Sequence, residues 1–289
     1  MICGRFWGLM DDATRGAIRL KKRLAHQAES ASDFPPGRQA NITEDEAFFC
    51  DGVRIQFLGH SAFSLWRSIE MNVVQRVRAL FVDPILDIGC GDGAFFSLAI
   101  GTAKMGIDVL DDLEGTVRPG VYETVLNRDI TVNTGLEPGS FSTVFANSVM
   151  EHVPDLDAAL GEISRLLVPG GRFIATVPMS YFLDGLEQWH GKRRARELHA
   201  VCSHCNLLSS EQWVDRLRRA GLDTELIHRY MSPEAGRAFA VLSGSFVRNV
   251  EVRTGRLVWN WSRRRIARMV VSSLDSPEGY CGMIVARKP

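Results

Sequence analysis

The apolar positions of this chain change rhythm as it is read from the N-terminus. Between residues 11 and 28, Ile18, Leu20 and Leu24 sit among basic side chains, which predicts a short amphipathic helix. Residues 29–46, rich in Pro, Ser and acidic side chains, read as a linker. Val53, Ile55 and Phe57 then alternate with polar residues after Asp51-Gly52, a pair suited to a tight turn, so a small β-hairpin is expected there. Trp66, Ile69, Val73, Val77 and Leu80 recur at intervals of three and four, predicting a helix over 63–81 with one buried face.

From residue 84 the period shortens. Apolar runs at 84–89, 103–110, 122–129, 142–149 and 171–178 alternate with helical or loop segments at β-α spacing. That pattern predicts a doubly wound α/β fold, a mostly parallel sheet covered on both faces. Leu156, Leu160, Ile163 and Leu167 form a helical stripe after Pro154-Asp155, which Pro169-Gly170-Gly171 should stop. Ser209 with Gln212 forms a capping box that opens another helix, with Trp213 and Leu217 inward and Gly221 at its end. The closing stretch 279–289 reads as a final strand. The expected organisation is an N-terminal arm, linker and hairpin over 1–58, a core over 59–230, a helical insertion over 231–278, and the last strand of the core over 279–289.

Composition adds little to this picture except in its distribution. The 289 residues are 45% apolar and 24% charged, the range of an ordinary globular protein, which excludes a disordered or collagen-like chain. No apolar run is long enough to span a membrane and the N-terminal stretch lacks the form of a signal peptide, so a cytoplasmic location is expected. Six cysteines are too sparse for a disulfide framework and are read as thiols. The charge sums to zero, yet residues 51–186 hold 9 basic and 17 acidic side chains and residues 187–289 hold 18 and 10. A basic C-terminal third suits an anionic substrate or surface.

The chemistry concentrates at residues 85–93, where an apolar strand runs into Gly89, Gly91 and Gly93. In an open parallel sheet, ligands bind beyond the carboxyl ends of the strands, and glycines there let a ligand approach the backbone. Asp108, twenty-one residues after Asp87 and at the end of the second apolar run, suits the two hydroxyls of an unphosphorylated ribose. Spacing alone leaves two readings, because Gly89-x-Gly91-x-x-Ala94 also satisfies a dinucleotide fingerprint and with it a nicotinamide-dependent oxidoreductase.

The pattern Asp87-x-Gly89-x-Gly91-x-Gly93 resembles motif I of class I S-adenosylmethionine-dependent methyltransferases, most closely the type 11 branch. The similarity continues through 106–110, 140–155 and 163–178, in the family's order. The resemblance implies a Rossmann-like fold with an antiparallel C-terminal strand, S-adenosylmethionine as methyl donor and S-adenosylhomocysteine as product. It implies that Gly89, Cys90, Gly91 and Gly93 wrap the methionine part of the cofactor, with Asp87 receiving its amino group. Asp108 is implied at the ribose, Asp129 and Ile130 at the adenine, and Asn147 at the methionine end. Asp129 also reads as a plain turn residue, and the link between the third and fourth strands, 131–142, is longer than the family's.

A sulfonium methyl is already activated, so the chain's task is to align an acceptor and exclude water. His152 is the candidate base for a hydroxyl or amine; holding its loop by hydrogen bonding is the structural alternative. The acceptor is expected to be a small molecule, sugar- or lipid-linked ones included, and a third reading is a cofactor-binding partner subunit without turnover. Tyr181, Phe182, Trp189, His190 and His199 are candidates to line the acceptor pocket or simply to pack. His199-x-x-Cys202-x-His204-Cys205 lacks a second ligand cluster, so no metal is expected, and Cys202 and Cys205 are read as small buried residues. Arg253, Arg256, Arg263, Arg264, Arg265 and Arg268, interleaved with Trp259 and Trp261, suit peripheral contact of 253–269 with an anionic membrane, or a cover helix. No nucleic-acid motif is present and no nucleic-acid partner is expected.

Overall fold

The computed structural model describes residues 61–242 and 267–289. The N-terminal helix, linker and hairpin expected over 1–58, and nearly all of the arginine-rich segment 253–269, lie outside the described residues. Seven strands form one sheet: β1 (Ile85–Ile88), β2 (Ala103–Asp108), β3 (Tyr122–Asn127), β4 (Phe141–Asn147), β5 (Leu167–Pro178), β6 (Asp223–Tyr230) and β7 (Cys281–Arg287). Their spatial order is β3-β2-β1-β4-β5-β7-β6. The first five pair in parallel, and β7 lies antiparallel between β5 and β6. The parallel reading, the double winding and the antiparallel last strand therefore all hold. The edge strand β6 is one the apolar pattern did not reveal, because its sequence DTELIHRY is mostly polar and only half-buried.

Eight helices accompany the sheet among the described residues: α1 (Ser61–Arg76), α2 (Ala94–Ala99), α3 (Leu113–Thr116), α4 (Leu156–Leu166), α5 (Tyr181–Cys202), α6 (Ser210–Arg219), α7 (Pro233–Leu242) and α8 (residues 267–273). Two of them open on side-chain caps. Asp155 caps α4 by accepting from Ala158 N at 3.0 Å, and the Ser209–Gln212 capping box opens α6. α5 is broken at Gly191, which takes φ +75°. The stripe ends one residue earlier than expected: Leu167 already belongs to β5, and Pro169-Gly170-Gly171 lies inside that strand rather than ahead of it. A register irregularity opposite Phe141–Thr143 accommodates the three residues.

Strand alternation divides the core. Val144 and Ala146 of β4, with Ile284 and Ala286 of β7, face α4 and α6 and pack with Leu160, Ile163, Trp213 and Leu217. Phe145 and Val285 face the other way, against Met71, Val74, Phe96 and Ile174. A third cluster joins α1, α5, α7 and α8 through Leu65, Trp66, Phe182, Ala235 and Val270. A sheet buried on both faces explains the near-continuous apolar runs, and it brings the carboxyl ends of β1, β2 and β4 to one edge.

Phe145 is fully buried and its ring meets Phe81, Phe95 and Phe96 at centroid distances of 5.3, 6.3 and 5.9 Å. Phe145→Ala should lower unfolding free energy by about 3–5 kcal/mol in urea titrations. Val82, 51% exposed, should tolerate threonine within about 0.5 kcal/mol.

Candidate functional site

β1 is buried along its whole length and ends at the glycine turn. Gly89 N and Cys90 N both donate to Ile107 O, at 2.8 and 3.2 Å, which draws the turn over the end of β2. Gly89 takes φ +68°, and a Cβ there would stand 2.4 Å from Val149 Cγ2, so only glycine fits. Gly91 takes φ +55°, and a Cβ there would meet nothing within 4 Å: the space in front of the loop is open. Gly91 N donates to Asp108 Oδ2 at 2.9 Å and Val109 N to Asp108 Oδ1 at 2.7 Å. Burial pushes the Asp108 carboxyl up, and these N–H groups oppose it. Each oxygen keeps a lone pair for a ligand.

A cavity of about 210 Å³ opens here, lined by Ile88, Gly89, Ile107 to Val109, Arg128 to Thr131, Val149 and His152 to Pro154. Of the sequence candidates, Gly89, Asp108, Asp129, Ile130 and His152 thus share one cavity. Gly91 and Gly93 continue the loop beside it. The Cys90 side chain does not face the cavity; it is buried against β2, where a Cβ at Gly106 would come 2.9 Å from its sulfur. Cys90 therefore contributes backbone only. Asp129 lines the cavity while serving as a turn residue, since its Oδ1 accepts from Thr131 N and Oγ1 at 2.8 Å each. Ile130 is buried beside it. The long link to β4 is anchored at Thr134, which donates through N and Oγ1 to Glu162. The paired Arg165 holds that carboxyl down at about 2.

Asp87 lies behind the loop, buried, and accepts from the Tyr122 hydroxyl at 2.5 Å. Burial pushes its carboxyl up to about 8, the Tyr122 hydrogen bond opposing the shift and Asp108 adding to it. Asn147 is turned toward neighbouring side chains: Thr176 Oγ1 donates to its Oδ1 at 2.8 Å, and its Nδ2 donates to Glu70 Oε2 at 3.3 Å. Glu70, on α1 and fully buried, also accepts from Trp66 Nε1 at 2.8 Å, Arg67 at 2.5 Å and Ser148 Oγ at 2.5 Å. The Arg67 guanidinium lies 5.7 Å from the Phe95 ring centroid, next to the helix that leaves the glycine loop. Arg67, Glu70 and Tyr122 were not singled out from sequence. A signal existed for the pair on α1: Glu70 directly follows Ile69 on the apolar stripe, an unusual setting for a carboxylate.

His152 closes a short 3-10 turn after β4. A ring nitrogen is hydrogen-bonded to the Ser203 carbonyl, and burial lowers its pKa and favours the neutral ring. Its Nε2 lies 3.8 Å from Glu151 Oε1. Glu151 is buried, and burial pushes its carboxyl up to about 8, with Glu70 adding to the shift and Arg67 opposing it. The loop 203–206 is bound to this turn: Cys205 N and Asn206 N donate to Glu151 O at 2.6 and 3.1 Å. Asn206 Nδ2 donates to Met150 O and Val153 O at 2.9 and 2.6 Å. Cys205 is exposed, against the expectation of a buried thiol, because Asn206 rather than Cys205 makes the inward contacts. Among the candidate pocket aromatics, Phe182 packs edge-on to Trp66 at 5.6 Å and Tyr181 carries the Arg229 guanidinium at 4.1 Å, so both are engaged in packing. The side chains of Trp189, His190, His199 and Cys202 lie outside those described.

The strand order argues against the dinucleotide alternative, since the nucleotide-binding order 3-2-1-4-5-6 has no antiparallel strand set between the fifth and sixth. Comparison with known proteins agrees. Ubiquinone biosynthesis O-methyltransferase of Methylococcus capsulatus is 32% identical over 120 residues, 39% of this chain and 51% of that protein. The enzyme of the same description from Xanthomonas euvesicatoria pv. vesicatoria is 35% identical over 150 residues, 49% of this chain and 63% of its own length. The chain thus spans between half and two thirds of these relatives. In fold it is similar to Haemonchus contortus phosphoethanolamine N-methyltransferase 2, solved with S-adenosyl-L-methionine, at a TM-score of 0.52 and 17% identity over 89% of this chain and 61% of that one. Residues 26–227 match the methyltransferase domain family, and the chain belongs to that family, in its class I S-adenosylmethionine-dependent form.

Proposed function

We propose that this protein transfers a methyl group from S-adenosylmethionine to an oxygen of a small acceptor. The observation that carries this reading is Asp108, held by two backbone N–H groups at the rim of the cavity beside the glycine loop. The residues present fit the cofactor. The space open in front of Gly91 admits a chain against the backbone, and Ile88, Ile107, Ile130, Val149 and Val153 give the cavity apolar walls suited to a flat ring. Asp108 then accepts from the ribose hydroxyls, Ile130 packs on the adenine and Asp129 takes its exocyclic amine while keeping the turn. Gly89, Gly91 and Gly93 leave room for the methionine part. Asp87 faces its ammonium group, and Arg67 is suited to its carboxylate. Asn147 acts indirectly, fixing Glu70 and so Arg67. When bound, S-adenosylmethionine supplies an electrophilic methyl group on sulfur. The chain's part is to hold the acceptor oxygen in line with it, out of water. His152, on the cavity wall beyond Asp108, is the side chain placed to contact that oxygen. The relatives named as O-methyltransferases favour oxygen over nitrogen.

The basic segment 253–269 supports peripheral contact with an anionic membrane, which would suit a lipid-linked acceptor. No helix among the described residues is long and apolar enough to cross a membrane. In flotation assays with vesicles containing anionic lipid, the protein should rise with the vesicles at low salt and be released at high salt. Failure to float at low salt contradicts this contact.

Calorimetric titration with S-adenosylhomocysteine tests the cofactor assignment. Asp108→Ala should weaken binding by about 10–100-fold, the worth of charge-assisted hydrogen bonds. His152→Ala should change cofactor affinity by less than about threefold, yet slow methyl transfer to the small-molecule fraction of a cell extract by about 100-fold or more.

Asp87 gives a pH signature. The unfolded carboxyl loses its proton near pH 4 and the folded one at about 8, so Asp87's contribution to the free protein's stability is full below pH 4 and is lost as pH rises from 4 through 8. The cofactor's ammonium group favours the ionised carboxylate, so binding at pH 7 should release a proton. Binding enthalpies in phosphate and Tris should therefore differ, affinity should rise from pH 6 toward 8, and Asp87→Asn should abolish both effects.

A further inference from the structure

We propose that Glu151, His152 and His204 form a binding site for one divalent transition-metal ion beside the methyl-transfer cavity. One ligating atom from each of the three residues lies within 4.8 Å of the other two. The set is one carboxylate and two imidazoles. The two rings stand 5.1 Å apart between centroids, and Glu151 Oε1 is 3.8 Å from His152 Nε2. A further observation concerns the other carboxyl oxygen, Glu151 Oε2. It is fully buried and has no hydrogen-bond partner among the described residues, on a side chain only 3% exposed. A buried carboxyl oxygen left in that state is costly, and a bound cation would supply its missing partner.

The cluster is built by the fold. Glu151 and His152 stand on the turn after β4, His204 stands on the loop after α5, and the Asn206 and Cys205 hydrogen bonds fasten loop to turn. The bond from His152 to the Ser203 carbonyl is the kind of outer contact that orients a ligating imidazole and fixes its tautomer. The nearby cation, Arg67, is paired with Glu70, so its charge is largely answered before an ion arrives. Two imidazoles and one carboxylate suit zinc, manganese, iron(II), cobalt or nickel, and three protein ligands leave coordination positions open.

The open side matters because His152 is also a wall of the cavity. An ion held there can bind the acceptor hydroxyl directly and lower its pKa. The O–H bond then breaks with its proton passing to solvent. The oxygen's electron pair forms the new bond to the methyl carbon, and the C–S bond breaks with its pair returning to sulfur. This role rests on the methyltransferase reading and refines the part of His152, which acts through the ion rather than by taking the proton itself. The site itself does not depend on that reading. The proposal departs from the sequence expectation of no metal: the partners it gives His204 lie 52 and 53 residues before it, not in the adjacent Cys/His run.

The test uses the whole protein stripped with a chelator and titrated with cobalt(II), read by visible d–d absorption and by metal analysis after desalting, with S-adenosylhomocysteine affinity measured in parallel. One cobalt per chain with tetrahedral or five-coordinate bands is expected. Glu151→Gln and His204→Gln should each weaken the ion by about tenfold or more, with cofactor affinity changed less than about threefold. Absent bands and no retained metal in wild-type protein that binds the cofactor would overturn the metal site alone. Equal cobalt affinity in wild type and both variants would overturn it too. Cobalt binding without cofactor binding would leave the site standing and remove the methyltransferase reading. If Glu151→Gln loses cofactor binding through misfolding, His204→Gln on the surface loop decides.

Discussion

The hydrogen bond from Gly91 N to the Asp108 carboxylate ties the end of β1 to the end of β2, and the shape of the cavity at that edge of the sheet depends on it. It forms only because the chain after Ile88 takes three left-handed glycine conformations in five residues, a path closed to side chains at Gly89 by Val149. Val149 in turn is fixed by the turn that follows β4. Three strand ends thus constrain one another, and the cavity is what remains between them. A substitution at Gly89 or a shift of the 149–153 turn would therefore disturb the position of Asp108 without touching it.

The second constraint is polar and comes from outside the sheet. Glu70 of α1 gathers Trp66, Arg67, Asn147 and Ser148 around a carboxylate with no solvent exposure. A buried charge with this many donors is satisfied, and removing any donor would leave it costly. The network locks α1 over the end of β4 and aims Arg67 at the glycine-loop helix. It also explains why α1 shares its core with α5, α7 and α8 rather than with the sheet alone. The proposed methionine end of the site is in this sense a product of helix packing.

How much of this was legible in the sequence follows from where each signal resides. The parallel strands β1 to β5 could be read because a sheet buried on both faces must be apolar throughout, and the glycine turn because its left-handed backbone demands glycine. β6 was invisible because an edge strand half in water is polar. Glu70 and Tyr122 were hidden because partners of each lie far along the chain: Tyr122 meets Asp87 across 35 residues and Glu70 meets Ser148 across 78. Arg67 meets Glu70 only three residues on, but nothing in that local pair says that it stands beside the glycine-loop helix. Asn147 was found at the right strand end, yet its amide serves Glu70 and Thr176. Cys90 stands in the glycine loop the sequence singled out, and its buried thiol turns back against Gly106 of β2. His204 lay within a recognised run, but its neighbours in space are Glu151 and His152.

On the proposed reading, the cavity between Asp108 and Ile130 holds the nucleoside of S-adenosylmethionine. A crystal structure of the protein grown with S-adenosylhomocysteine tests it most directly. The account requires both ribose hydroxyls within about 2.5–3.0 Å of the Asp108 oxygens and the adenine against Ile130. Density for the nucleoside elsewhere, or a ribose that leaves Asp108 bound only by Gly91 and Val109, would contradict it.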